Sequence, residues 1–185
     1  IIYITNFSSI MSYYIPIEAG AREQYQTASY QDGFTNFVKK ITKKQSDRFL
    51  IVEANPLNLD KLRICWKDFL NLKIYNIAIV NDNFKDNYIN LFYTKEDGPC
   101  YQVTSVYKDH VKKHYPESEI LEINISSKTI NDFLNQSVGS EKIKYLAIDV
   151  EGVDFNLLMN LNLTKFDIEN ISFEFIHFNK EQIIK

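Results

Sequence analysis

Between Gln31 and Lys44 the apolar residues Phe34, Phe37, Val38 and Ile41 recur at i, i+3, i+4 and i+7, the spacing of one helix face. Elsewhere the apolar residues run together. "RFLIVEA" (48–54) is continuous up to Glu53, as expected of a strand buried on both faces. "NPLNLDKLRICWKDFL" (55–70) then predicts a helix with Leu59, Leu62 and Trp66 on a core stripe. Its start, Asn55-Pro56, suits a cap followed by a first-turn proline. "YYIPIEAG" (13–20) reads as a short strand stopping at Gly20. Pro16 argues against a central place for it, because proline donates no ladder hydrogen bond.

Further along, "LKIYNIAIV" (72–80) and "YINLFYT" (88–94) predict two strands, and the polar link "NDNFKDN" makes a β-hairpin their natural connection. The stretch 96–116 reads as loop. "SEILEINIS" (118–126) predicts a strand and "SKTINDFLNQSV" (127–138) a short helix. "KYLAIDV" (144–150), "DFNLLMNL" (154–161) and "ENISFEF" (169–175) predict strand, helix and strand. This alternation implies an α/β fold with a mostly parallel sheet. No repeat or long linker divides the chain, so residues 1–185 read as a single domain.

In such sheets ligands bind beyond the carboxyl ends of the strands. Three of the predicted strands end in acid, at Glu18, Glu53 and Asp149, and a fourth carries Glu174 near its end. Parallel strands would gather these carboxylates along one rim. Around Asp149 the charge is densest, since Glu151 and Asp154 follow within five residues.

An acid after the second strand of a nucleotide-binding unit accepts hydrogen bonds from ribose hydroxyls, which suits Glu53. Gly20 suits a turn where backbone approaches ligand. "EAGAREQYQ" lacks the later glycines of G-x-G-x-x-G, and no Walker loop is present, which argues against a nicotinamide dehydrogenase or a nucleoside-triphosphate enzyme. Acids that accept from hydroxyls and favour a cation suit S-adenosylmethionine, whose sulfonium and amino groups are positive.

Simpler roles stand beside these. Asp154 can cap the helix it precedes, Glu151 can be a first-turn acid favoured by the helix dipole, and Glu174 can pair with a lysine or arginine. His177 can be a surface histidine. His110 and His114, at i and i+4, have no third metal ligand in view, so a solvated face is expected and no metal.

The blocks "YIPIEAGA", "FLIVEANPLNLDKL", "IYNIAIV", "INLFY", "KYLAIDVEGVDFNLL" and "ISFEF" resemble, in order and spacing, the FkbM family of S-adenosylmethionine-dependent methyltransferases. The most specific is the Asp-x-Glu-Gly-x-acid run, with Asp154 where the family usually has Glu. The resemblance implies a Rossmann-like class I methyltransferase fold of strand order 3-2-1-4-5, with the terminal hairpin lying beyond residue 185. It implies O-methylation of a hydroxyl on a sugar or natural product. Glu18, Gly20 and Ala21 would form the first cofactor loop, Glu53 would hold the ribose, and Ala78 and Ile79 would lie near adenine. Asp149 would sit beside the methionine part of the cofactor and the acceptor. Asp149 or Glu151 would orient or deprotonate the acceptor, with His177 the second candidate. The long span from Gly20 to Glu53 marks an inserted helix or loop.

Two other readings stay open. Asp149-Val150-Glu151 resembles the acid-x-acid pair with which glycosyltransferases hold a divalent metal and a nucleotide sugar. A non-catalytic Rossmann-like binding domain is the other.

Composition narrows the partners. The 185 residues carry a net charge of −3 with no basic block, so no nucleic-acid surface is expected. Cys65 and Cys100 have neither metal-like spacing nor a disulfide framework, which suits a reduced, cytoplasmic setting. "IIYITNFSSIMSYYI" is too polar for a signal peptide or membrane span. A start at Ile1 and the ending "HFNKEQIIK" read as a segment of a longer product. The expected partner is a small-molecule or glycan acceptor; oligomeric state is not readable.

Overall fold

The computed structural model describes residues 13–17, 48–67, 71–98, 101, 103–150, 153–173, 175 and 178–184, with the backbone alone for 13–17 and Cys65. The helix expected over 31–44 lies outside these residues. Among the described residues there are eight strands: β1 (Tyr13–Ile17), β2 (Arg48–Val52), β3 (Leu72–Tyr75), β4 (Ala78–Val80), β5 (Tyr88–Tyr93), β6 (Leu121–Thr129), β7 (Ile143–Ile148) and β8 (Ile171–Phe173). Among them, too, are five α-helices: α1 (Leu59–Cys65), α2 (Lys108–His114), α3 (Ile130–Ser137), α4 (Asp154–Asn160) and α5 (Lys180–Ile184). The fold is mixed α/β.

One sheet has five strands in the order β3-β2-β1-β7-β8, and every pair in it is parallel. Its apolar strands supply two cores, because successive side chains point to opposite faces. Leu50, Val52, Leu146 and Ile148 face α3 and α4, joining Phe133, Leu134 and Leu157. Phe49, Ile51, Tyr145 and Ala147 face α1, joining Leu62 and Trp66. The stripe expected at Leu62 and Trp66 is thus core, and the continuous run 49–52 is buried on both sides.

Contrary to the expectation from Pro16, β1 is the central strand. It pairs with β7 along its whole length, but with β2 only at Tyr13, Tyr14 and Ile17. The interruption falls where the ring removes a donor, so the sheet keeps the strand and loses part of one ladder.

The stretch 72–80 is not one strand but two. β3 stays in the parallel sheet; β4 joins a separate three-stranded sheet of order β4-β6-β5. The break is at Asn76. The amide N–H of Glu53 donates to the Tyr75 carbonyl at 3.0 Å, and then the Asn76 side-chain amide donates to the carbonyls of Glu53 (2.9 Å) and Ala54 (2.8 Å). A side chain has taken over the first acceptors beyond β2, and the chain is released to the second sheet. The expected hairpin between 72–80 and 88–94 is likewise absent, for β5 pairs antiparallel with β6 and β4 pairs parallel with it.

Two helical boundaries also differ. The region 96–116, expected to be loop, contains α2, in which the buried Val111 anchors six polar residues. The helix expected over 55–70 is a 3-10 turn, Pro56–Asn58, followed by α1, which ends at Cys65.

Candidate active site

The register of the parallel sheet sets the site. Ile17 is opposite Val52 on one side and Ile148 on the other. Glu53 and Asp149, the next residues on β2 and β7, therefore leave the sheet at the same edge. Glu18, Gly20, Ala21, Glu151 and His177, and Glu174 with them, lie outside the described residues.

Glu53 opens the loop from β2 to α1 and is buried. Its Oε1 accepts from the backbone N–H of Asn55 at 2.8 Å, and its Oε2 lies 3.5 Å from the Asn58 side-chain amide. Burial pushes the carboxyl up to about 7, against the pull of the Asn55 N–H, the Asn58 amide and the Lys61 charge. Near neutrality it is therefore shared between its two protonation forms, and Oε2 retains lone pairs that can accept from a hydroxyl.

Asn55 caps the 3-10 turn as its sequence suggests, accepting from the Leu57 N–H at 3.0 Å. A second bond, from its side-chain amide to Thr104 Oγ1 at 3.0 Å, reaches 49 residues along the chain. No local pattern announces it.

Asp149 is exposed where β7 ends, and Val150 after it is buried. Asp154 is not the helix cap expected of it. Val153 holds the N-cap position of α4, without a side-chain bond, and Asp154 is the first helical residue. With its side chain turned inward, at 1% exposure, its Oδ1 accepts from the Val150 N–H at 3.3 Å. This carboxylate braces the backbone one residue beyond Asp149.

Between the sheets lies a small cleft, part of it open to solvent. Val52, Ala54, Ala78, Ile79, Val150 and Val153 give it apolar walls, and Thr104 and Ser105 supply a polar edge. Ala78 and Ile79 are buried there. The sheet edge thus carries one buried acid, Glu53, turned toward Asn55 and Asn58, and one exposed acid, Asp149; their chain neighbours Val52, Ala54 and Val150, rather than the acids themselves, line the cleft.

The His110 and His114 rings on α2 lie 4.9 Å apart between centroids, tilted by 44° to each other. Among the described residues no group of three or more His, Cys, Asp and Glu is placed to hold a metal ion. Among them, too, no helix is long and apolar enough to cross a membrane.

No curated protein and no solved structure matches the chain. The family model described as the Methyltransferase FkbM domain matches residues 18–183. That span includes both acidic strand ends and the cleft, and the chain belongs to the FkbM methyltransferase family.

Proposed function

We propose that this methyltransferase takes S-adenosylmethionine as its methyl donor and transfers the methyl group to a hydroxyl of a sugar or natural-product acceptor. The fold is then a Rossmann-like class I methyltransferase fold, and the strand order β3-β2-β1-β7-β8 supports that reading. The observation that carries the proposal is the shared register that brings Glu53 and Asp149 to one edge beside an apolar cleft.

The residues present fit the donor. Glu53 accepts from ribose hydroxyls through Oε2, and its burial strengthens those bonds. Val52, Ala78 and Ile79 receive the adenine ring in the cleft. Glu18, Gly20 and Ala21 complete the cofactor loop after β1. Bound here, the sulfonium supplies an electrophilic methyl carbon. Asp149 would hold the acceptor hydroxyl and take its proton as the new oxygen–carbon bond forms and the sulfur–carbon bond breaks, the donor leaving as S-adenosylhomocysteine, with Glu151 and His177 as the further candidates for that proton. Positioning supplies much of the rate, and a placed base adds ~10²–10⁴-fold. The setting is cytoplasmic in this reading, and the acceptor is a small molecule or glycan.

Calorimetry with S-adenosylhomocysteine in the presence of a chelator tests the proposal, and binding without metal is expected. Binding of a nucleotide sugar only when manganese is added would instead favour a glycosyltransferase built on Asp149-Val150-Glu151. Binding of neither would leave a non-catalytic domain.

A further inference from the structure

The polar edge of the cleft belongs to the turn before α2, whereas Glu53 belongs to the loop after β2. One side-chain pair ties these separate segments together. Asn55 and Thr104 are both buried, and the Asn55 amide donates to Thr104 Oγ1 at 3.0 Å. The same Asn55 gives its backbone N–H to Glu53 Oε1.

A threonine hydroxyl has one proton. That of Thr104 goes to the Tyr101 carbonyl at 2.9 Å. Thr104 thus has no proton left for a ligand, and its influence must run through the wall it holds. Tyr101 has φ of 47°, a left-handed conformation that costs a non-glycine residue about 1–2 kcal/mol and persists only where its surroundings enforce it. The Thr104 hydroxyl is one such restraint. Lys61 is another, its Nζ lying 5.2 Å from the Tyr101 ring centroid and 3.5 Å from Asn58 Oδ1. Adjoining the pair, Ser105 exchanges backbone hydrogen bonds with Phe92 at 2.8 and 3.1 Å, so the wall is anchored to β5 as well.

We infer that Asn55 and Thr104 are positioning residues that set the distance between the base-side wall of the cleft and the ribose-side acid. The inference deepens the cofactor reading above and rests on it. Both side chains are buried and bonded to each other and to their neighbours, so the pair acts on donor affinity.

Thr104→Val removes the hydroxyl at nearly constant volume, and Thr104→Ser retains it. S-adenosylhomocysteine should bind the valine variant roughly ten-fold more weakly or worse, because a buried amide loses its acceptor. The serine variant should bind within about two-fold of wild type by the same reasoning. Hydrogen exchange of the Glu53–Asn58 amides should quicken in the valine variant, although the substitution is 49 residues from Asn55. If the valine variant does not fold, Asn55→Ser replaces it; serine keeps a cap for Leu57 and is too short to reach Thr104. Wild-type affinity in the folded variant that lacks the bond overturns the inference. Failure of the wild-type protein to bind S-adenosylhomocysteine overturns the cofactor reading instead. Hydrogen exchange then decides the tie itself, and unchanged Glu53–Asn58 protection would show that no such coupling exists.

Discussion

Glu53 and Asp149 follow strands that flank the same central strand in the same register, yet their surroundings are opposite. The first is folded back on its own loop and buried. The second is exposed, and the carboxylate beside it, Asp154, is the buried one. Backbone register decides where an acid stands; the loop that follows decides what it can do. The β2 loop turns at once into a 3-10 turn whose asparagines close over Glu53. The β7 loop is braced through Val150 instead, which leaves Asp149 outside. A buried acid near neutrality suits hydroxyl recognition, and an exposed one suits proton exchange with an acceptor that comes and goes.

The largest effect is expected at the exposed end. Asp149→Asn should lower turnover by ~10²–10⁴-fold, read as S-adenosylhomocysteine release with a panel of sugar acceptors. Its melting temperature should stay within about 2 °C of wild type, as for surface substitutions generally. Turnover that survives would remove Asp149 as the base.

Glu53→Gln should act on binding, weakening S-adenosylhomocysteine by roughly 10- to 100-fold through the loss of charge-assisted hydrogen bonds. It should also change how stability depends on pH. An acid with an ordinary value of 4.5 in the unfolded chain and about 7 in the fold keeps its proton longer when folded. Between those values the native state binds more protons than the unfolded state, so the Glu53 contribution to stability falls as pH rises. The loss reaches about 3 kcal/mol above pH 7. Glutamine carries no such penalty. Urea unfolding at pH 5.5 and pH 8 should therefore show the variant gaining on wild type at the higher pH, and a constant difference would mean that Glu53 ionises freely in the fold.

Asp154→Ala tests the brace behind Asp149. A buried Val150 N–H left without its acceptor costs about 1–3 kcal/mol, and turnover should drop as the Asp149 backbone loosens. Asp154→Asn keeps an oxygen for that N–H and should recover most of both. Equal turnover in the alanine variant would separate Asp149 from the brace.

The parallel sheet was legible because strands buried on both faces must be continuous apolar runs, and 48–54 and 144–150 are such runs. The acids at their ends were legible for the same reason. The switch between sheets at Asn76 was not. "LKIYNIAIV" is apolar throughout save for Lys73 and Asn76, and only the three-dimensional place of that asparagine beside the β2 carbonyls makes it a terminator. α2 escaped notice because a helix resting on Val111 alone has no apolar stripe. Asp154 was misread because a carboxylate before an apolar run looks the same whether it caps the helix or turns into the fold. The Asn55–Thr104 bond joins residues whose proximity depends on both sheets being in place.

A slighter change is expected at Lys61. Lys61 approaches the Glu53 end through Asn58, and its charge holds the Glu53 carboxyl below the value that burial alone would set. Ribose hydroxyls prefer the ionised form as acceptor, so S-adenosylhomocysteine affinity should rise with pH, about ten-fold from pH 6 to pH 8 for an acid near 7. Lys61→Met preserves the stem that packs toward Tyr101 and removes the charge. The carboxyl should then titrate higher, moving the midpoint of the affinity profile upward by a fraction of a unit, because a partly exposed charge pair is worth at most about 1 kcal/mol. At pH 8.5 the variant should differ from wild type only by what the lost Lys61–Tyr101 contact contributes to the wall, and turnover dependent on Asp149 should be untouched. A midpoint that stays fixed, or moves downward, would show that the titration controlling binding belongs to some group other than Glu53.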